Sequence, residues 1–240
     1  WAAQNGHLEV LKWMATLEPE EHRVYPSEWG TDLAAQNGHL EVLKWMAALE
    51  PERRVYPSQD GADEAAWNGQ LEVLKWMETL ELEHRVFPRQ WGANWAAMKG
   101  HLEVLKWMAA LEPVHRVYPS ERGAELAAQK GQLEVLKWMA ALEPERRVYP
   151  GQAGANEAAE DGRLEVLKWM ATLEPEEHRV YPNQDGANRT AMRGHLEVLK
   201  WIAALEPEEH RVYPNQDGAN IAAMMRHLEV LEWLRERGVI

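Results

Sequence analysis

The string LEVLKWM recurs at residues 8–14, 40–46, 71–77, 102–108, 133–139 and 164–170, with LEVLKWI at 196–202 and LEVLEWL at 228–234. Two residues before each string stands a glycine: Gly6, Gly38, Gly69, Gly100, Gly131, Gly162 and Gly194, spaced by 32, 31, 31, 31, 31 and 32 residues. In the eighth copy Arg226 takes the glycine's place. A fixed period of this size means one supersecondary unit stacked on itself, because a unit this short cannot bury its apolar face alone. The chain therefore has no single core, and its length of 240 residues says little about domain count.

Each unit reads as two helices. In the third, Pro57 suits a first helical turn, and the helix runs to about Asn68. Gly69 supplies the left-handed residue that ends it. The second helix, Gln70 to about Leu80, puts Leu71, Val73, Leu74, Met77 and Leu80 near helical spacing. Pro51 marks where the same helix stops in the unit before. The one-residue difference in length falls just after it, EPEEHR against EPERR, in a polar loop that tolerates insertion. RVYP then leads into the next unit.

The run Ala34-Ala35-Gln36-Asn37-Gly38-His39-Leu40-Glu41-Val42-Leu43, repeated with small changes in all eight units, resembles the ankyrin repeat family. In that family the first helix ends AAxxG and the second begins HLE followed by two aliphatics. The resemblance implies an all-α, ankyrin-like α-solenoid of about eight helix-turn-helix repeats joined by short extended loops. It implies one repeat domain over 1–240, with units near 1–25, 26–56, 57–87, 88–118, 119–149, 150–181, 182–213 and 214–240. One feature departs from the family: the TPLH opening of the first helix is replaced by residues such as Asp60-Gly61-Ala62-Asp63. That leaves the hairpin between repeats open, and a tetratricopeptide-type solenoid is the alternative fold.

The units can be compared with one another, since they share one backbone pattern. Four first-helix positions vary freely, at nine, five, two and one residues before the hinge glycine. They follow an i, i+4, i+7, i+8 pattern and so form one helix face. The opposite face, at eight, seven, four and three before the glycine, is almost always Gly, Ala, Ala, Ala, as in Gly61, Ala62, Ala65 and Ala66. Small residues let helices approach closely, so the constant face is expected to be packed and the varied face free. Drift on a wetted face should yield mainly polar residues. Here five of the thirteen tryptophans fall on it (Trp1, Trp29, Trp67, Trp91 and Trp95). Contiguous exposed apolar groups mark interfaces, and Trp is enriched among binding hot spots.

The candidate partner-binding residues are accordingly Trp29 and Leu33, then Asp60, Glu64 and Trp67, then Trp91, Trp95 and Met98. Arg122, Leu126, Lys130, Glu157 and Arg189 continue the series as charged and apolar flanks. In the ankyrin family such positions line the concave binding surface, so the resemblance implies a protein or peptide partner there, bound by a monomeric chain. A spacer with no ligand on this face is the alternative. A nucleic-acid reader is disfavoured by 39 acidic against 26 basic residues and a net charge of −13.

Ten histidines invite an enzymatic reading. The residue after the hinge glycine, however, is His7, His39, Gln70, His101, Gln132, Arg163 or His195, with His227 its counterpart in the last unit. The loop position alternates between His22, His84, His115, His178 and His210 and Arg53 and Arg146. A metal ligand or general base cannot be exchanged for Gln or Arg, so both sets are read as helix-start and surface residues. No phosphate loop, zinc spacing or Ser-His-Asp arrangement is present, and no catalytic residue, metal or cofactor is expected. No apolar run approaches the ~18 residues of a membrane span. The lack of cysteine and of a signal peptide points to an intracellular, cytoplasmic setting. Trp1 begins mid-motif, as expected of a fragment. Glu232 in place of the usual Lys, with Arg235, Glu236 and Arg237 after it, reads as a polar end unit.

Overall fold

A computed structural model describes residues 1–240. It contains fifteen α-helices, six short 3₁₀ turns and no strand. Two compact units, Trp1–Tyr118 and Pro119–Ile240, are built from the same parts.

In the first unit α1 (Leu8–Ala15) is followed by the pairs α2 (Glu28–Gln36) and α3 (Leu40–Ala47), α4 (Gln59–Trp67) and α5 (Leu71–Glu78), and α6 (Gln90–Lys99) and α7 (Leu102–Ala110). First helices pack on their successors, α2 on α4 and α4 on α6; second helices do so more sparingly. The second unit repeats this with α8 (Glu121–Lys130), α10 (Gln152–Glu160), α12 (Gln184–Arg193) and α14 (Gln216–Met224) stacked in order. Their partners are α9 (Leu133–Ala140), α11 (Leu164–Met170), α13 (Leu196–Ala203) and α15 (Leu228–Glu236). Sequential packing of helix pairs is the architecture of an α-solenoid. Most links between repeats are a 3₁₀ turn, such as Pro51–Arg53, and an extended segment, without strands; the one after α7 has a plain turn in place of the 3₁₀ element.

The hinge glycines all adopt φ between 70 and 82°, a region costly to residues with a Cβ. A second constraint comes from the next repeat. A Cβ on Gly69 would lie 2.6 Å from His101 Nδ1, and one on Gly162 2.7 Å from His195 Nδ1. The glycine is thus required by its own dihedral and by the side chain laid over it.

The core is carried by three residues of each second helix between α3 and α13, such as Val42, Leu43 and Met46, together with first-helix alanines such as Ala34 and Ala35. The stacking neighbour completes this burial. Val42 is 2% exposed with α1 before it, whereas Val10, in the first repeat, is 45% exposed. The framework tryptophans are half-buried at Trp45, Trp76 and Trp107, so they sheathe the core and do not fill it. In the last repeat the ring of Trp233 is buried, stacked on Tyr213 and covered by the Arg237 guanidinium at 4.6 Å. The polar end is confined to α15, because Met224, Met225 and Leu228 stay exposed.

Arg226, at φ 63°, is the one non-glycine residue with a positive φ. A left-handed L-residue costs about 1–2 kcal/mol, and glycine's extra chain entropy returns about 0.5–1 kcal/mol of that. Arg226→Gly is therefore expected to stabilise the chain by about 0.5–1 kcal/mol, seen as a higher urea midpoint with unchanged slope. Gly69→Ala, the reverse change at a covered hinge, is expected to lower the midpoint.

Candidate functional site

The first helices are positioned by a polar clamp at a position not among the sequence candidates. Six residues before each hinge glycine stands Asp32, Asp63, Asn94, Glu125, Asn156, Asn188 or Asn220. Ser58 N–H and Oγ donate to the Asp32 carboxylate, both at 2.7 Å. Arg89 N–H donates to Asp63 Oδ1 at 2.6 Å, and Arg89 Nε to Asp63 Oδ2 at 2.8 Å. In the second unit Asn183 N–H donates to Asn156 Oδ1 at 3.1 Å and Asn215 N–H to Asn188 Oδ1 at 2.9 Å. Each bond satisfies the N-cap residue of the next first helix and crosses the glycine eight before the hinge. A Cβ on Gly92 would meet Asp63 Oδ1 at 2.8 Å, and one on Gly218 would meet Asn188 Oδ1 at 2.6 Å. The same count from the glycine that exposed the varied face would have found this position, as it is always Asp, Asn or Glu.

Two further ladders correct the view that the exchanged histidines are plain helix-start and surface residues. His39 Nε2 lies 2.9 Å from Gln4 O, while Gln70 Nε2 donates to Gln36 O at 3.2 Å and Arg163 Nε to Gln129 O at 3.0 Å. His, Gln and Arg interchange because each offers a side-chain N–H to the preceding repeat. Burial foremost holds the imidazoles of His101 and His195 below the ordinary histidine value. The loop position stacks on the preceding repeat's RVYP or RVFP aromatic. His84 lies on Tyr56 at 3.9 Å, His115 on Phe87 at 4.1 Å and His178 on Tyr149 at 4.2 Å. Arg53 covers Tyr25 at 4.6 Å. Imidazole and guanidinium are both planar groups that stack on an aromatic face. Glu81, Glu83 and His84 bring ligand atoms within 4.8 Å of one another, but both carboxylates are exposed and the preceding repeat has Arg53 at the histidine position.

With the helices fixed, the varied face differs between the units. In the first, Trp67 of α4 contacts two tryptophans of α6. It meets Trp91 edge-on at 6.0 Å between ring centroids and Trp95 at 5.1 Å, and Trp91 and Trp95 lie 6.3 Å apart. These separations suit aromatic pairs worth about 0.5–1.5 kcal/mol each. Trp67 Nε1 is buried without a hydrogen-bond partner. Trp91 is 42% and Trp29 71% exposed. Leu33 and Trp95 are half-buried, and Met98 is buried at 9%. Asp60, Asp63, Glu64, Arg89 and Trp91 line a cleft of about 450 Å³. Arg89 pairs with Asp60 and Asp63, both at 2.7 Å. Burial foremost, then Asp32 and Asp60, raises the Glu64 carboxyl above its ordinary value, and no cation pairs with it.

In the second unit the candidate charges neutralise each other across repeats. Arg122 pairs with Glu125 at 3.1 Å and Glu157 at 3.7 Å, and Lys130 with Asp161 at 3.0 Å. Glu160 receives Arg189 at 3.3 Å and Arg193 at 3.2 Å, and Arg189 also meets Asp185 at 2.9 Å. Leu126 is buried at 9%. Partly exposed pairs of this kind contribute about 0–1 kcal/mol each. The varied face is thus not uniformly free of packing: its outer positions are open, while those five and two before the glycine are half-covered in most repeats. No family model and no curated protein matches the chain.

Two outcomes follow from this geometry. Asp63 is 1% exposed, and Asp63→Ala removes the acceptor of the Arg89 N–H and Nε, donors that water can still partly reach, so it is expected to cost about 0.5–1.5 kcal/mol. Asp63→Asn keeps the acceptor that Asn156 and Asn188 provide and is expected to cost less, both read by urea unfolding. The raised carboxyl of Glu64 opposes folding once ionised: its cost is absent at low pH and grows as pH rises through the carboxylate range. Glu64→Gln is expected to raise Tm at pH 7, with the gain vanishing in acid, by calorimetry at both pH values.

Proposed function

We propose that the chain is a non-enzymatic, ankyrin-like binding scaffold that recognises a protein or peptide through the varied face of its first helices. The observation that carries this is the Trp67, Trp91 and Trp95 cluster, with Trp91 exposed at its edge and Trp29 exposed on α2. Core tryptophans would be covered, and drifting surface positions would be mainly polar. A ring cluster half in water, held on helices clamped at their N-termini, suits a partner that completes its burial. Held this way, the rings lose little further conformational freedom on association, which favours affinity. The resemblance to ankyrin repeats supports the same face. The second unit favours another use: its first-helix charges already satisfy one another, which suits a stacking role over direct contact with a partner.

The test is capture of partners by the intact chain, identified by mass spectrometry, beside single variants at the two most exposed rings. Trp29→Ala is expected to leave the circular dichroism spectrum and Tm nearly unchanged, and Trp91→Ala, which gives up its ring contacts to Trp67 and Trp95, to keep the spectrum with a lower Tm, both weakening the captured partner at least tenfold, as hot-spot truncation does. Trp95→Ala, at a half-buried ring, is expected to lower Tm as well. Equal capture by wild type and both variants would reassign the face to spacing alone.

A further inference from the structure

The varied face of the first unit holds one group out of balance with its surroundings. Glu64 is half-buried beside Asp32 and Asp60, and no lysine or arginine reaches it. Asp32 is committed to Ser58, and Asp60 and Asp63 share the single guanidinium of Arg89. The cleft these residues line carries three carboxylates against one cation, and its remaining wall is the indole of Trp91. Its volume of about 450 Å³ exceeds what one side chain needs. In the second unit the carboxylate at the register of Glu64, Glu157, has Arg122 at 3.7 Å, and its neighbours on the same helix are answered too, Glu160 by Arg189 and Arg193 and Asp161 by Lys130. Neighbouring repeats therefore do supply cations to this face, and the pair formed by α4 and α6 supplies tryptophans.

We infer that the cleft between Glu64 and Trp91 receives a cationic side chain, the guanidinium or ammonium of a basic peptide segment, with Glu64 as its counter-ion and the Trp91 ring as its wall. This assignment rests on the binding-scaffold reading above and names the chemistry of the partner. A guanidinium or ammonium gains from both walls at once. It pairs with a carboxylate whose desolvation is already met in the free chain, and it lies against an indole face, the strongest of the aromatic cation acceptors. The same cation relieves the repulsion among Glu64, Asp32 and Asp60. An acidic segment would meet three carboxylates, and a wholly apolar one would desolvate Glu64 further without supplying a counter-charge, so both are selected against. Steering would add to rate, since the chain carries a net charge of −13.

The test uses the full chain and fluorescein-labelled hexa-arginine, read by fluorescence anisotropy at physiological salt, because a polyanionic protein attracts any polycation weakly. Glu64→Gln is compared with Glu72→Gln. Glu72 is an exposed carboxylate on α5 that pairs only with Lys75, so the two variants change net charge equally. Glu64→Gln is expected to weaken binding at least tenfold, Trp91→Leu severalfold, and Glu72→Gln less than twofold. Equal effects of the two glutamate changes, or no binding of hexa-arginine by the wild type below millimolar concentration, would overturn the cationic assignment. The scaffold reading is judged separately: if Trp91→Ala still abolishes capture of the cellular partner while Glu64→Gln leaves it intact, the face binds but the cleft does not take a cation.

Discussion

Close approach of consecutive first helices is the constraint from which the rest follows. Glycine and alanine on the constant face bring the backbones together, and at that separation an Asp or Asn side chain of one helix can reach the N-cap N–H of the next. The glycine it crosses cannot carry a Cβ without striking it. Packing and hydrogen bonding therefore demand the same small residue, and neither would be satisfied without the other. This coupling explains why residues eight and six before the hinge hold to so few types while the residue nine before it changes in almost every repeat.

Once first helices are held at a fixed spacing and angle, everything on the varied face comes into register. Residues two and five before the hinge in neighbouring repeats lie within reach of one another, and what they are determines what the face can do. In the second unit Glu160 and Arg189 at these positions are opposite charges, and with the pairs Arg122–Glu157 and Lys130–Asp161 beside them the face closes on itself. In the first unit α4 and α6 place Glu64, Trp67 and Trp95 there. Rings can pack on rings, as Trp67 does on Trp91 and Trp95, but like-charged carboxylates cannot satisfy each other. One backbone pattern thus yields a self-neutralised surface in one unit and an aromatic, electrostatically uncompensated one in the other.

The period, the two helices per unit and the hinge were legible because they rest on local chemistry repeated eight times: glycine in a left-handed conformation, apolar residues at helical spacing and proline at helix ends. The varied and constant faces could be separated for the same reason. What lay beyond the sequence was long-range in origin. Met98 and Leu126 belong to the varied face by register, yet their burial is set by what packs over them. The His, Gln and Arg exchanges after the hinge look like the tolerance of a surface site until the partner carbonyl is seen to accept from all three. Arg122, Lys130 and Arg189 look like a guiding rim until their distances to Glu157, Asp161 and Glu160 turn them into internal pairs.

Near-identity of the repeats makes each one a control for the others. A backbone that recurs eight times has satisfied its polar groups in a standard way, and a departure confined to one place needs a local cause. Trp67 Nε1 lacks a partner and Glu64 lacks a cation, and both belong to α4, beside the tryptophans of α6. Buried atoms without a partner also occur at Glu157 Oε2 and Trp233 Nε1, but only on α4 does one stand beside both a carboxylate without a cation and a cluster of exposed rings. Local rules are broken together where a surface is shaped for something outside the chain, and such a site gives up stability that the other repeats retain. That cost is a reason to place recognition in the first unit, and it would hold even if the family resemblance were set aside.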